Sequence, residues 1–97
     1  MTAAAILDRA RSIVTGDRRT THGAPERCFG TIAAFWRTYL DAIGRPVQPH
    51  DVAQMMVLLK VARSTSGTFH ADDYEDACGY AALAGELAAG TGEGRDA

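Results

Sequence analysis

The stretch from Pro49 to Leu87 constrains the fold most, because its pattern predicts two long helices joined by a short polar turn. The first helix, starting near His50 and Asp51, is apolar on almost all sides through its middle. That pattern predicts a central helix covered by neighbours on several sides. Four short helices cover such a helix incompletely, so the sequence favours self-association by helix packing between chains. The second helix of the pair, starting near Asp72, opens with a block of acids.

Two further helices precede this pair, and no stretch shows the alternation of a strand. The spacing of Ile6, Leu7, Ala10, Ile13 and Val14 predicts an amphipathic helix over residues 3–15. A second helix is predicted to begin at Pro25, since proline suits the first helical turn. Its predicted apolar stripe consists of Phe29, Ile32, Ala33, Trp36, Leu40 and Ile43. We therefore expect an all-α, four-helix bundle-like protomer completed by homo-oligomerisation, with residues 1–89 as one domain and 90–97 as a disordered tail.

Composition excludes several classes of protein. The chain has 97 residues, of which 46% are hydrophobic, and this argues against a disordered protein. A formal net charge of −2 gives no basic excess for nucleic-acid binding. No apolar run is long enough to span a membrane, and no signal peptide is recognisable, so a cytoplasmic location is expected. Cys28 and Cys78 lack metal-ligand spacing and are expected to be reduced.

The acids of the last helix lie on a side that also carries apolar residues. Asp72, Asp73 and Asp76 fall on one stripe of the helical wheel together with Tyr80 and Leu83. Asp72 and Asp73 are explained by capping and the helix dipole, but Asp76 lies a full turn further in. A buried carboxylate needs a partner, and two kinds are open. One is an ion pair with a nearby Lys or Arg; the other is a divalent cation, for which carboxylates favour Mg²⁺ or Mn²⁺.

Several stretches together resemble a known family. The chain is similar to a small phage-type family of the all-α nucleotide pyrophosphohydrolase (MazG-like) superfamily. The similarity covers most of residues 6–87. It is carried by these segments: Gly16-Asp-Arg, His22-Gly-Ala-Pro-Glu-Arg-Cys-Phe, Ile32-Ala-Ala-Phe-Trp, Asp51 to Arg63, and Asp73-Tyr-Glu-Asp-Ala-Cys-Gly-Tyr-Ala-Ala-Leu.

The resemblance implies a Mg²⁺-dependent enzyme that releases pyrophosphate from a (d)NTP or a related nucleotide. In that superfamily, Glu-x-x-Glu on one helix and Glu-x-x-Asp on the next hold the metal. The corresponding ligands here are Asp51, Gln54, Asp73 and Asp76, and Gln54 brings a neutral amide where the family has a carboxylate. The implied catalytic carboxylates are Asp76, Asp73 and Asp51. Glu26 is a further candidate because it lies at the edge of the apolar stripe of its helix, where it is either a pocket carboxylate or a first-turn charge in water. The implied substrate-binding residues are Lys60, Arg63, Arg18, His22 and Tyr80.

Three functions therefore compete. The first is the hydrolase, active as a homodimer or homotetramer in the cytoplasm, which is the host cytoplasm if the gene is a phage gene. The second is a non-catalytic nucleotide- or protein-binding module that has lost a full metal site, and Gln54 favours it. The third is a structural oligomer in which the acids pair with Lys60 and Arg63.

Overall fold

Four α-helices form the described part of the chain, which is residues 1–16 and 25–90 of a computed structural model. We number them α1 (Ala3–Thr15), α2 (Pro25–Ile43), α3 (Pro49–Ser64) and α4 (Ala71–Gly90). No strand occurs within these ranges, so the predicted all-α class is confirmed. None of the four helices is both long and apolar enough to cross a membrane. The disordered tail was predicted to begin at residue 90, but Gly90 is the last residue of α4. Residues 91–97 lie outside the described residues.

Local signals in the sequence set the ends of the helices. The Thr2 hydroxyl accepts a hydrogen bond from the Ala5 backbone N–H at 3.1 Å and so caps α1. Proline occupies the first turn of both α2 and α3, as expected for a residue without an N–H to satisfy. Gly44 follows α2 with a φ of 58°, a left-handed conformation that glycine adopts at low cost.

Helix α3 lies between α2 and α4 and packs against both. The small core on its α2 side consists of the buried residues Cys28, Ile32 and Ala62, flanked by Phe35, Trp36 and Leu59. The Trp36 indole N–H donates a hydrogen bond to the Met55 carbonyl at 2.7 Å, which ties α2 to the middle of α3. By contrast, α1 has no buried residue. The central position predicted for α3 is confirmed.

The predicted apolar stripe of α2 is only partly correct. Ile32 is buried and Trp36 half-buried, but Phe29 and Leu40 remain exposed to solvent. The inward face instead includes Cys28. Within residues 1–16 and 25–90, α2 packs mainly along α3, so the face it buries there is narrower than the apolar stripe that the sequence offers.

The buried face of α4 also differs from the expected one. The prediction placed Asp76, Leu83 and Leu87 toward the core, whereas Leu83 and Leu87 are 51% and 42% exposed. Asp73 and Ala84 are the buried residues of this helix. Small side chains let α4 approach α3 closely, and this draws the alanine face inward in place of the larger leucines.

Candidate functional site

A buried carboxylate lies at the start of α3. Asp51 has no solvent exposure, and each of its oxygens accepts two hydrogen bonds. Oδ1 accepts from the Tyr39 hydroxyl at 2.7 Å and from Arg45 Nη2 at 3.1 Å. Oδ2 accepts from Arg45 Nη1 at 2.6 Å and from the Gln48 backbone N–H at 2.8 Å. A carboxylate offers about four acceptor positions, so protein donors fill the acceptor capacity of Asp51.

The chain assembles this site from neighbouring segments. Tyr39 lies near the end of α2, Arg45 in the linker that follows, and Gln48 at the N-cap of α3. Asp51 is in the first turn of α3, where a negative charge complements the helix dipole. The site therefore joins the end of α2 to the beginning of α3.

Hydrogen bonding and burial at this site shift the pKa values of Asp51 and Tyr39 in opposite directions. Hydrogen bonds from Arg45, then from Tyr39, hold the pKa of Asp51 well below its usual range, although burial acts the other way. Burial, then the hydrogen bond to Asp51, raises the pKa of Tyr39 to about 12. Asp51 is therefore ionised at neutral pH, and the protonated Tyr39 hydroxyl donates a hydrogen bond to it.

A second group of charges lies where α3 ends and α4 begins. The buried Lys60 ammonium is 2.8 Å from Asp76 Oδ2 and 3.8 Å from Asp72 Oδ2. Arg63 Nε lies 3.5 Å from Oδ1 of Asp73, whose side chain is 1% exposed. Asp76 was predicted to be the buried acid, with Asp73 closer to a cap. The structure reverses this, since the Asp76 side chain is 47% exposed.

The two groups lie at different ends of the α3–α4 hairpin. Asp76 pairs with Lys60, which follows Asp51 by nine residues, or roughly 13 Å along the axis of α3. The structure therefore does not bring Asp51 and Gln54 together with Asp73 and Asp76. Across residues 1–16 and 25–90, no three His, Cys, Asp or Glu side chains gather as metal ligands. The four residues implied by the resemblance do not fit a single metal site within this chain.

The other predicted site residues are scattered. Gln54 is exposed and lines an open groove of about 340 Å³ with His50 and small residues of α4. Tyr80 lines a different groove of about 260 Å³, together with Glu75 and Asp76. Glu26 is exposed in the first turn of α2. Arg18 and His22 lie outside the described residues.

Comparison with known proteins places the chain in a family. Residues 5–88 match a family described as "Domain of unknown function (DUF6378)". The chain belongs to this DUF6378 family. It is 34% identical to the Gene 55 protein of Mycobacterium phage D29 over 76 residues, which are 78% of the chain and 48% of that protein. It is 36% identical to the Gene 55 protein of Mycobacterium phage L5 over 78 residues, which are 80% of the chain and 49% of that protein.

The DUF6378 chain thus spans about half the length of the curated relatives it matches, and both relatives are phage proteins. No solved structure matches it significantly.

Sequence reasoning missed Tyr39 and Arg45 in the DUF6378 chain. Both are ordinary polar residues of a helix end and a linker, and nothing in their spacing suggests a site. The sequence did carry one signal. An Asp at the third position of a helix commonly accepts a hydrogen bond from the N-cap backbone N–H, so the Asp51 side chain could be expected to point back toward the linker before α3. Arg45 is the only basic residue of that linker.

Proposed function

We propose that this chain is a non-catalytic helical module that acts by binding another protein chain. One observation carries the proposal: the carboxylate of Asp51 is buried and already accepts four hydrogen bonds from protein donors. A metal ligand has to offer an oxygen lone pair to the ion, and Asp51 has none left to offer. In the resembled superfamily the corresponding residue holds Mg²⁺.

The exposed surface supports protein binding. Large apolar side chains that are more than half exposed occur on all four helices and in the turn before α4, among them Leu7 at 68% and Phe69 at 77%. Exposed apolar surface of this kind can be covered by another protein. Lys60, meanwhile, is engaged by Asp76, so its charge is already compensated and does not require a phosphate.

The test is an assay of pyrophosphate release from a panel of NTPs and dNTPs, with Mg²⁺ or Mn²⁺, and with Asp76→Asn as the comparison. We expect the same background release with the wild type and the variant. We also expect no rise in Tm when nucleotide and metal are added together. Release from any nucleotide that is lost in Asp76→Asn would overturn the proposal.

The second candidate is the function implied by the resemblance, a Mg²⁺-dependent nucleotide pyrophosphohydrolase. One observation favours it: the Asp72 and Asp76 side chains are about half exposed, and Asp76 lines a groove with Tyr80. An exposed carboxylate remains available to a metal, and a tyrosine ring can stack on a base. This candidate predicts the metal-dependent release described above, and a rise in Tm with nucleotide that requires Asp76.

A further inference from the structure

A groove of about 260 Å³ runs along one flank of α4, and we refer to it as the α4 groove. It is lined by Glu75, Asp76, Gly79, Tyr80 and Leu83. The spacing of three or four positions places these residues on one side of the helix. Gly79 brings no side chain to the centre of this row, and apart from its two chain neighbours no side chain lies within 4 Å of a Cβ placed there. The absent side chain therefore leaves a recess that a side chain of another molecule can fill.

The two ends of the α4 groove differ in chemistry. Glu75 and Asp76 contribute carboxylates at the end nearer the start of the helix. Tyr80 and Leu83 form the other end, where Tyr80 is half-buried and Leu83 is 51% exposed. A ligand that matches both ends needs a positively charged group joined to an apolar stem, which is the structure of an arginine or lysine side chain.

Helix α4 carries more negative charge than the described part of the chain neutralises. Its residues include five carboxylates and no Lys, Arg or His. Two cations of α3 pair with it, since Lys60 contacts Asp72 and Asp76, and Arg63 contacts a third acid. Glu75 has no ion pair within residues 1–16 and 25–90. The field of α4 therefore favours a cation in the α4 groove and disfavours an anionic ligand.

The surroundings of the α4 groove favour a protein segment over a small free cation. Leu87, one turn beyond Leu83, is 42% exposed. Near the start of the helix, the rings of Phe69 and Tyr74 stack with their centroids 5.8 Å apart, and the two residues are 77% and 55% exposed. A small cation would cover the groove alone, whereas a chain segment lying along α4 would also remove apolar surface from water.

We propose that the α4 groove binds an arginine or lysine side chain carried by a segment of a partner protein. The cation contacts Glu75 and Asp76, and its aliphatic stem packs on Tyr80 and Leu83. Asp76 already contacts Lys60 through Oδ2 at 2.8 Å, but a carboxylate has about four acceptor positions and therefore accepts a second donor. A cation over the Tyr80 ring is attracted by its π electrons as well. The inference rests on the proposed function, because it names the chemistry of the partner that the protein-binding module recognises.

The first experiment titrates the isotope-labelled full chain with a blocked, alanine-rich probe peptide that carries several arginines. We expect NMR shift changes centred on Gly79, and binding that weakens as salt is added. A control peptide with glutamine in place of each arginine should bind at least about tenfold more weakly, because the arginine–carboxylate contacts are charge-assisted. Free arginine amide should also bind more weakly than the peptide, since it covers only the groove.

The second experiment repeats the titration with variants of the α4 groove. Gly79→Leu fills the recess and should abolish peptide binding while it raises Tm, because leucine has the higher helix propensity. Gly30→Leu is the matched control at an exposed position of α2 where a Cβ also has open space, and it should keep the binding. Glu75→Gln should weaken binding about twofold to fivefold, the range for an exposed ion pair. Glu86→Gln removes the same charge outside the groove lining and should leave binding unchanged.

Several outcomes would overturn the inference. They are peptide binding that survives Gly79→Leu, equal binding of the arginine and glutamine peptides, and free arginine amide that binds as tightly as the peptide. A wild-type dimer in light scattering that Gly79→Leu converts to a monomer would also overturn it, since a second copy would then occupy the groove. Absence of both peptide binding and pyrophosphate release overturns only this inference. Peptide binding by a chain that also releases pyrophosphate through Asp76 overturns only the proposed function.

Discussion

The guanidinium of Arg45 contacts the carboxylate of Asp51 at two points, with Nη1 to Oδ2 at 2.6 Å and Nη2 to Oδ1 at 3.1 Å. Arg45 belongs to the linker between α2 and α3, and Asp51 belongs to the first turn of α3. The Arg45 side chain is 37% exposed, whereas that of Asp51 is fully buried. The pair therefore anchors an exposed linker to a buried charge and holds the entry of α3 against the end of α2.

Replacing Arg45 with Ala should destabilise the protein more than replacing any other exposed arginine of residues 1–16 and 25–90. The change leaves a buried anion with two of its four hydrogen bonds, and uncompensated buried charge is among the costliest defects in a protein. We expect Tm to fall by roughly 10 °C or more. Thermal unfolding followed by circular dichroism measures this, with Arg37→Ala on the exposed side of α2 as the matched control. Equal Tm values for the two variants would show that the Arg45–Asp51 contact contributes little.

Alkaline pH should destabilise the protein through Tyr39. Its pKa rises from 10.0 to about 12 on folding, so the folded state holds the phenol proton more tightly than the unfolded state. The stabilisation is therefore complete below pH 10.0 and is lost as pH rises toward about 12. Tyr39→Phe should show a smaller loss of Tm over that range, and Tyr74→Phe, at an exposed position, should behave as the wild type. A wild-type and a Tyr39→Phe curve that run parallel from neutral pH upward would contradict this.

Acidic pH should destabilise the protein through Asp51. Its pKa is lowered from 3.8 on folding, so its stabilising effect is complete above 3.8 and is lost as pH falls below that value. We expect the difference in urea midpoint between wild type and Asp51→Asn to be constant from neutral pH down to about pH 5. The difference should shrink on further acidification. Asp41→Asn, at an exposed position of α2, is the control substitution. A difference that is unchanged at the acid end would show that Asp51 is not held as an anion.

The hydrogen bond from Trp36 to the Met55 carbonyl should contribute measurably to the packing of α2 on α3. Trp36→Phe removes the donor and leaves a small void beside the core of Cys28, Ile32 and Ala62, and we expect a loss of about 1–3 kcal/mol in the free energy of unfolding. Trp36 is the only tryptophan, so urea unfolding has to be followed by circular dichroism and not by fluorescence. Phe29→Leu, at an exposed position on the same helix, should change stability by less than about 0.5 kcal/mol.

The helices were predictable because their signals are local. The apolar spacing of residues 3–15 and the proline at position 25 mark α1 and the start of α2, and both agree with the structure. The buried faces were less predictable, since they depend on which neighbour each helix meets. Phe29 and Leu40 belong to a valid apolar stripe, yet α2 turns Cys28 toward α3. Sequence periodicity identifies a wide apolar stripe on a helix, but it does not show which part of that stripe packs against the neighbouring helix.

The candidate site shows a different limit. Asp51 and Asp76 each lie near the start of a helix, and in a helical hairpin the two starts lie at opposite ends. Their separation therefore follows from chain direction, whereas the expectation of one shared metal ion followed from family resemblance. The partners of Asp51 were not predictable, because Tyr39 and Arg45 reach it only through the particular path of the linker between α2 and α3.

The Lys60–Asp76 pair offers a test of whether the acids of α4 serve the fold. If the pair is structural, Asp76→Asn should lower the free energy of unfolding by about 1 kcal/mol, a modest loss because Asp76 is half-exposed and its charge is screened. Lys60→Met should change it by less than about 1 kcal/mol, since an apolar chain of similar length replaces a buried ion. The double variant should then be about as stable as Lys60→Met alone, because the ammonium that the Asp76 carboxylate compensates is already gone. Glu86→Gln on the same helix is the control for loss of a carboxylate. Urea unfolding measures the free energy of unfolding of each variant, once without ligand and once with Mg²⁺ and nucleotide. Additive effects of the two substitutions, or a coupling that exists only with Mg²⁺ and nucleotide, would contradict a structural role and favour the hydrolase.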